Sequence, residues 1–150
     1  MRRSEREIKD RAAIDSIIQQ CLVCRLGLVG GEEPYIVPLC FGYDGEALYF
    51  HSASEGRKID SIRKNSRVCF EFDIPEGMTE AEQGCRWGIK YRSVIGFGNA
   101  QIVDNHEDKK KALAVIMAQY SDKAYIFPED VVTKTAIIKV VIARVTGKQA

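Results

Sequence analysis

The chain has 150 residues, of which 45% are hydrophobic and 29% are charged, so it has enough apolar material for one folded domain, which we expect to span residues 1–150. Its 22 Lys and Arg nearly balance 21 Asp and Glu, giving a formal net charge of +1, which excludes overall charge as a reason to bind nucleic acid. The charged N-terminus is not followed by a long apolar run, so we expect no signal peptide, no membrane span and a cytoplasmic protein.

An amphipathic helix is the first predicted element. Asp10 is a suitable N-cap residue, and apolar residues then recur at spacings of three and four, which places them on one buried helical face. These residues are Ile14, Ile17, Ile18 and Cys21. From residue 22 to residue 29 the apolar period changes to two, which predicts a strand, and Gly30-Gly31 predicts the hairpin turn that follows it.

Two further strands are predicted before the middle of the chain. Residues 35–41 are rich in β-forming side chains, and Pro38 among them has no amide hydrogen, which places this strand at a sheet edge or a bulge. Asp44-Gly45 predicts a hairpin into a strand over residues 47–51. A ligand can approach the backbone of an edge strand more closely than that of a central one.

The rest of the chain is predicted as mainly strand. Strands are expected at 67–72, 91–103 and 135–145, with a loop at 73–84 and a helix that Asn105 caps. Gly96 and Gly98 within the long strand indicate strong curvature or close backbone approach. Strands joined mostly by hairpins favour an antiparallel, partly open β-barrel over a parallel sheet, because each parallel pair needs a crossover helix.

The five cysteines do not suggest a disulfide framework, because their number is odd and their spacing is irregular. They are Cys21, Cys24, Cys40, Cys69 and Cys85. We expect small, buried, reduced thiols. The first two form a CxxC pair, but a structural zinc site needs four ligands and no second close pair of Cys or His completes one, so we predict no metal site and keep a redox pair as the alternative.

A predicted anion site lies where the strand 47–51 gives way to a short helix over residues 54–65, with Ser54 near its N-cap. Two serine hydroxyls are followed here by Arg57 and Lys58. Hydroxyls, helix N-terminal N–H groups, a guanidinium fork and an ammonium group are the donors that bind phosphate. The alternative is that Arg57 and Lys58 are only the solvated face of the helix.

Several spaced motifs resemble the FMN-binding split-barrel superfamily of pyridoxamine 5′-phosphate oxidase. They occur in order over most of the chain, at residues 35–39, 49–58, 65–70 and 92–100. Within that superfamily the chain resembles in particular the 5-nitroimidazole resistance (Nim) group. The segments that carry this second resemblance are Val37-Pro38-Leu39, Phe41-Gly42-Tyr43, residues 48–53 and Cys85-Arg86-Trp87-Gly88, followed by residues 91–98.

The resemblance implies an antiparallel six-stranded split barrel that forms a homodimer, with FMN at each end of the subunit interface. The phosphate would be held by a serine and the two adjacent cations, the isoalloxazine ring would lie against the Pro38 strand, and a serine on a later strand would contact the cofactor. FAD and haem are alternative cofactors. The residues implied in cofactor binding are Ile36, Val37, Pro38, Leu39, His51, Ser52, Arg57, Lys58 and Ser93.

His51 is the candidate catalytic residue. Histidine gains and loses a proton near neutral pH, so His51 beside the flavin could donate a proton to a substrate during reduction. The alternative is a ring that only packs beside the cofactor or in the dimer interface. His106 is expected in the first turn of a helix and solvated, and Trp87 would either wall off an aromatic substrate or pack at an interface.

The expected function is that of an FMN-dependent oxidoreductase that reduces a small aromatic acceptor, such as a nitroaromatic 5-nitroimidazole. Neither nucleic acid nor a membrane is expected as a partner. One alternative is a haem- or flavin-binding or storage protein of the same fold without reductase turnover. A deazaflavin-dependent reductase is a third hypothesis, and identification of the bound cofactor would separate the three.

Overall fold

The computed structural model of the protein describes residues 3–30 and 33–150, so Gly31 of the predicted hairpin turn lies outside the described residues. The strands in this part of the chain are β1 (Glu7–Ile8), β2 (Cys24–Leu28), β3 (Tyr35–Leu39), β4 (Gly42–Tyr43), β5 (Ala47–Ser52), β6 (Arg67–Thr79), β7 (Gly88–Val103) and β8 (Ala136–Gln149). The helices are α1 (Arg11–Gln20), α2 (Arg57–Lys64), α3 (His106–Ala118) and α4 (Glu129–Lys134).

All the strands join one antiparallel sheet. The order along it is β3-β2-β6-β7-β8-β5-β4, and β1 pairs with the end of β8. The six strands of five or more residues, β2, β3, β5, β6, β7 and β8, form the antiparallel split barrel that the sequence predicts, and β1 and β4 have two residues each. Among the described strands β3 pairs only with β2, so Pro38 lies on an edge strand as predicted.

Side chains alternate between the barrel core and the opposite side of the sheet, which we call the outer face. In β7, Val94 and Ala100 are buried, whereas Ile95 and Phe97 are exposed. Gly96 and Gly98 lie on the core side, where a Cβ on Gly96 would come within 2.1 Å of the Phe70 ring. A β-bulge also interrupts the pairing of β7 with β8 after Phe97. These observations confirm the close approach to the β7 backbone that was predicted at Gly96 and Gly98.

Two of the predicted helix caps are confirmed and one is wrong. Asp10 accepts a hydrogen bond from the Ala12 N–H at 3.2 Å, and Asn105 accepts one from the Asp108 N–H at 3.1 Å. Ser54 does not cap α2, because the N-cap position is Gly56, whose φ of 112° keeps the chain out of helical geometry until Arg57.

The predicted loop over residues 73–84 is wrong in its first half. β6 continues to Thr79 and pairs with β7 from Gly88, so the two strands form a hairpin that extends beyond the rest of the sheet. Pro75 is tolerated because β2 pairs with β6 only as far as Glu71, and a bulge follows at Gly77, whose φ is 125°. The sequence also missed the six-residue helix α4, and β8 runs on to Gln149.

The cysteines are free thiols, as predicted, but only two of them are buried. Cys21 and Cys24 lie in the core, and burial raises the pKa of both thiols. The prediction of burial is wrong for Cys40, Cys69 and Cys85, which are exposed. Cys69, for example, lies on the outer face of β6, opposite Phe97. No helix within residues 3–30 and 33–150 combines the length and hydropathy needed to cross a membrane.

Candidate functional site

The start of α2 packs against the edge of the sheet. Gly30, just after β2, allows the middle of α2 to approach, because a Cβ there would lie 2.2 Å from the Ser61 Cα. The Arg57 guanidinium carbon lies 4.5 Å from the centre of the Tyr35 ring at the start of β3, and its Nη2 is 3.6 Å from a Glu33 carboxylate oxygen. The structure therefore brings one predicted phosphate ligand directly to the predicted flavin strand.

The N-terminus of α2 has the properties of an anion site. No side chain within residues 3–30 and 33–150 caps it, so the N–H groups of its first turn have no side-chain acceptor in this part of the chain. A Cβ at Gly56 would meet nothing within 4 Å, so the approach to this end is open. Partial burial lowers the pKa of the Lys58 ammonium group, and a bound anion would offset that effect of burial. These groups fit a phosphate monoester.

The residues of the predicted flavin strand divide into two sets. Ile36 and Pro38 are exposed on the outer face, and Ile36 is 68% exposed. Val37 and Leu39 instead pack against the core, so their side chains do not face a ligand on the outer side. Since β3 is an edge strand, its free side offers unpaired backbone groups to a ligand.

His51 and Ser52 end strand β5, only a few residues before α2. Ser52 lies opposite Ala136 of β8 and is half-buried. His51 lies opposite Ile137 on the outer face and is exposed. Neither side chain forms a hydrogen bond or ion pair with a described residue, so both are available to a ligand that binds at the start of α2.

Ser93 is not brought together with the other predicted site residues within one chain. It lies on β7, and β2 and β6 separate that strand from β3 in the sheet. Ser93 lines an open groove of about 520 Å³ on the outer face. The other residues that line this groove are Glu71, Asp73, Pro75, Ile89 and Tyr91.

The outer face also carries a charged cluster that was not predicted from the sequence. Arg25 donates from Nη1 to Asp73 at 2.5 Å and to Glu71 at 3.1 Å. Burial and the negative charge of Asp73 raise the pKa of Glu71. The alternation of Glu71 and Asp73 along β6 places both on one face, but the position of Arg25 depends on the pairing of β2 with β6. Tyr35, which contacts Arg57, was also missed as a site residue.

The family of the chain follows from a comparison with family models. The pyridoxamine 5′-phosphate oxidase model matches residues 10–149. The chain belongs to this family. A search of curated proteins gave no match.

Solved structures support the family and confirm the resemblance to its nitroimidazole resistance group. A Bacteroides thetaiotaomicron protein named for 5-nitroimidazole antibiotic resistance is 33% identical; the match covers 95% of this chain and 86% of that one, with a TM-score of 0.85. The flavocytochrome Anf3 from Azotobacter vinelandii is 18% identical; the match covers 100% of this chain and 72% of that one, with a TM-score of 0.85. A FAD and heme binding protein from Mycobacterium smegmatis is 15% identical; the match covers 97% of this chain and 73% of that one, with a TM-score of 0.88. The last two likenesses show the fold alone.

Proposed function

We propose that the protein is an FMN-dependent oxidoreductase, active as a homodimer, that reduces small nitroaromatic compounds such as 5-nitroimidazoles. The observation that carries this proposal is the uncapped N-terminus of α2, with Arg57 packed on Tyr35 of the edge strand β3. Membership of the pyridoxamine 5′-phosphate oxidase family and similarity to a protein named for nitroimidazole resistance support the same function.

The residues at the start of α2 would hold the phosphate of the cofactor. Arg57 would supply a two-pronged donor, Lys58 a point charge and Ser52 a hydroxyl, beside the free N–H groups of the helix. The flavin supplies the electrons of the reaction. Ile36 and Pro38 would give the flat ring an apolar surface, and the free backbone of β3 would hydrogen-bond its polar edge.

His51 would hold the proton that the acceptor needs. It precedes the proposed phosphate ligands in the chain, it is exposed, and no described side chain occupies its ring nitrogens. An imidazole in this position can carry a proton on either ring nitrogen and donate it to an acceptor that lies on the outer face. Ser93 would contact the cofactor only if a second subunit brings its β7 to the site, because the two regions are separate within one chain.

The second candidate is a protein that binds flavin or haem without reductase turnover. Two structural neighbours favour it, since one is named as a flavocytochrome and the other as a FAD and heme binding protein. The start of α2 would hold the phosphates of FAD as well as that of FMN, so the cofactor must be identified by experiment.

The test begins with the native protein. Mass and absorbance of the released cofactor separate FMN, FAD and haem. The flavin is then reduced without oxygen, a 5-nitroimidazole is added, and flavin reoxidation and amine formation are followed. Reoxidation that depends on the acceptor supports the oxidoreductase. Bound flavin without such reoxidation contradicts it and favours the binding protein.

A further inference from the structure

A groove of about 490 Å³ runs along α3, far from the start of α2 in the chain. Its floor is one row across three strands, because Lys139 of β8 pairs with Gln101 of β7 on one side and with Tyr49 of β5 on the other. Small ligands commonly bind in pockets of roughly 300–1,000 Å³. The groove is therefore large enough for a small molecule, and we call it the α3 groove.

One side of α3 forms the opposite wall of the groove. The residues of this wall are Asp108, Lys111, Ala112 and Val115. Their spacing of three and four residues places them on a single side of the helix. A small buried cluster of Ala112, Ile116 and Ile137 holds the helix against the sheet. Wall and floor are therefore both fixed by the packing of the fold, so the groove exists before a ligand binds.

Lys139 is the basic group of the floor. It is half-buried, its Nζ lies 5.6 Å from the centre of the Tyr49 ring, and it forms no ion pair with a described residue. The nearby Asp44 carboxylate does not take up this charge, because its oxygens accept from two backbone N–H groups and from the Tyr49 hydroxyl. The last of these hydrogen bonds also fixes the Tyr49 ring. Lys139 is therefore available to an anionic group of a ligand.

The acidic groups that line the groove differ in their availability. Asp108 pairs with Lys111 at 3.2 Å, so these two charges largely offset each other. Asp104 follows the end of β7, is exposed, and forms no ion pair with a described residue. The groove therefore presents one available ammonium group, that of Lys139, and one available carboxylate, that of Asp104.

These two charges define the class of ligand that fits. A phosphate or another simple anion would meet Lys139 but would be repelled by Asp104, and a simple cation would meet the reverse. A molecule with both charges satisfies both groups, and a free amino acid carries both at neutral pH. The Tyr49 ring, with Val103 and Val115, supplies an aromatic and apolar surface that suits an aromatic side chain.

We propose that the α3 groove binds a free aromatic amino acid, with its carboxylate on Lys139, its ammonium group on Asp104 and its ring against Tyr49. Neither His51 nor any residue of α2 is among the described residues that line the groove, so this site is separate from the proposed cofactor site. Ile137, opposite His51 in the sheet, is buried against α3. The inference goes beyond the proposed reaction and does not depend on the cofactor.

The first experiment is a titration of the ¹⁵N-labelled full chain with L-tryptophan, followed by NMR. We expect a dissociation constant of about 1 mM or lower. The amide signals of Gln101 and Val115 should shift, whereas those of Arg57 and Lys58 should not. Saturating FMN should leave the affinity for L-tryptophan unchanged.

Two analogues and two variants then test each charge. Tryptamine lacks the carboxylate and indole-3-propionate lacks the ammonium group. Lys139→Met should weaken binding of L-tryptophan by at least about tenfold but leave that of tryptamine unchanged. Asp104→Asn should weaken binding of L-tryptophan but leave that of indole-3-propionate unchanged. Circular dichroism checks that each variant is folded, and Asp104 is exposed, so its substitution does not disturb the core.

Lys148→Met is the matched control. Lys148 lies on the same strand as Lys139 and at the same 5.6 Å from a tyrosine ring, that of Tyr91, but it does not line the groove. This variant should bind L-tryptophan as the wild type does. An equal loss of affinity in the Lys139 and Lys148 variants would overturn the assigned contact.

The remaining outcomes separate this site from the proposed function. No shift of the groove signals at about 10 mM L-tryptophan overturns the proposal, and so does displacement of L-tryptophan by FMN. A Lys139→Met variant that loses tryptamine as strongly as L-tryptophan overturns the role of Lys139. L-Tryptophan that binds a protein without flavin or reductase turnover supports the groove and contradicts only the proposed function.

Discussion

Arg57 provides the most direct test of the cofactor site. Its guanidinium packs on Tyr35, and its one described ion pair, to Glu33 at 3.6 Å, joins side chains that are 53% and 81% exposed. Such an exposed pair contributes little to stability, and an exposed cation–π contact contributes about 0.5–1 kcal/mol. Arg57→Ala should therefore leave the free energy of unfolding within about 1 kcal/mol of the wild-type value.

The effect on cofactor affinity should be much larger. A hydrogen bond to a charged group is worth about 1.5–3 kcal/mol, which corresponds to a loss of roughly 10–150-fold in FMN affinity. Loss of the Tyr35 contact alone would not reach this range. The difference between a small change in stability and a large change in binding is what identifies Arg57 as a phosphate ligand.

The assay is a titration of apoprotein with FMN, followed by the quenching of flavin fluorescence. Arg63→Ala is the matched control, because Arg63 is an exposed arginine in the last turn of the same helix, at the end opposite the proposed phosphate. Equal affinities of the Arg57 and Arg63 variants for FMN would refute the phosphate site and return Arg57 to the solvated face of α2.

Three further predictions test the reaction and the fold. His51→Phe should retain FMN but slow reoxidation of the reduced flavin by a 5-nitroimidazole by about 10²–10⁴-fold, as for a lost general acid; an unchanged rate removes His51 from the chemical step. Burial opposes ionisation of Asp44, but two backbone N–H donors and a tyrosine hydroxyl outweigh it and lower the pKa of Asp44. Ionised Asp44 therefore stabilises the fold at pH values above its unfolded pKa of about 4. This stabilisation is lost as the pH falls through the lower pKa of the folded state. Urea unfolding should show that Asp44→Asn is less stable than the wild type at pH 7, and that the difference in unfolding free energy shrinks near pH 3. An equal difference at the two pH values would contradict this prediction. Tyr120→Phe should lower the free energy of unfolding by about 1–3 kcal/mol, because the Tyr120 hydroxyl accepts from the Phe41 N–H at 2.8 Å; an unchanged urea midpoint would show that this N–H is satisfied in another way.

Local signals in the sequence predicted much of the fold correctly. The caps at Asp10 and Asn105 depend on a side chain and a backbone N–H only two or three residues away. The edge position of Pro38 follows from its missing amide hydrogen. Ser54 failed as a cap because Gly56, whose φ is 112°, takes the N-cap position, so that the helix begins only at Arg57.

The candidate site was predictable where it is continuous in the chain and not where it depends on strand pairing. Ser52, Arg57 and Lys58 lie close together in sequence, so the hypothesis that they bind one ligand needs no knowledge of the sheet. Arg25 reaches Asp73 only because β2 pairs with β6, which sets side by side two residues that are far apart in the chain. For the same reason, the sequence alone did not show that Val37 and Leu39 turn toward the core.

Gly96 also combines a feature that the sequence predicts with a neighbour that only strand pairing identifies, and it allows a quantitative test. The sequence predicted a close approach at this glycine, but only the pairing of β6 with β7 identifies Phe70 as the neighbour, with a ring atom 2.1 Å from the position that a Cβ would take. Phe70 is 1% exposed, so its ring has little room to move. Gly96→Ala should therefore cost about 1–3 kcal/mol of unfolding free energy, as overpacked cores do. Gly88→Ala in the same strand, where a Cβ meets nothing within 4 Å, should cost much less. Adding Phe70→Leu to Gly96→Ala should then be less damaging than the sum of the two single changes, and strict additivity in urea unfolding would show that the clash with Phe70 is not the cause.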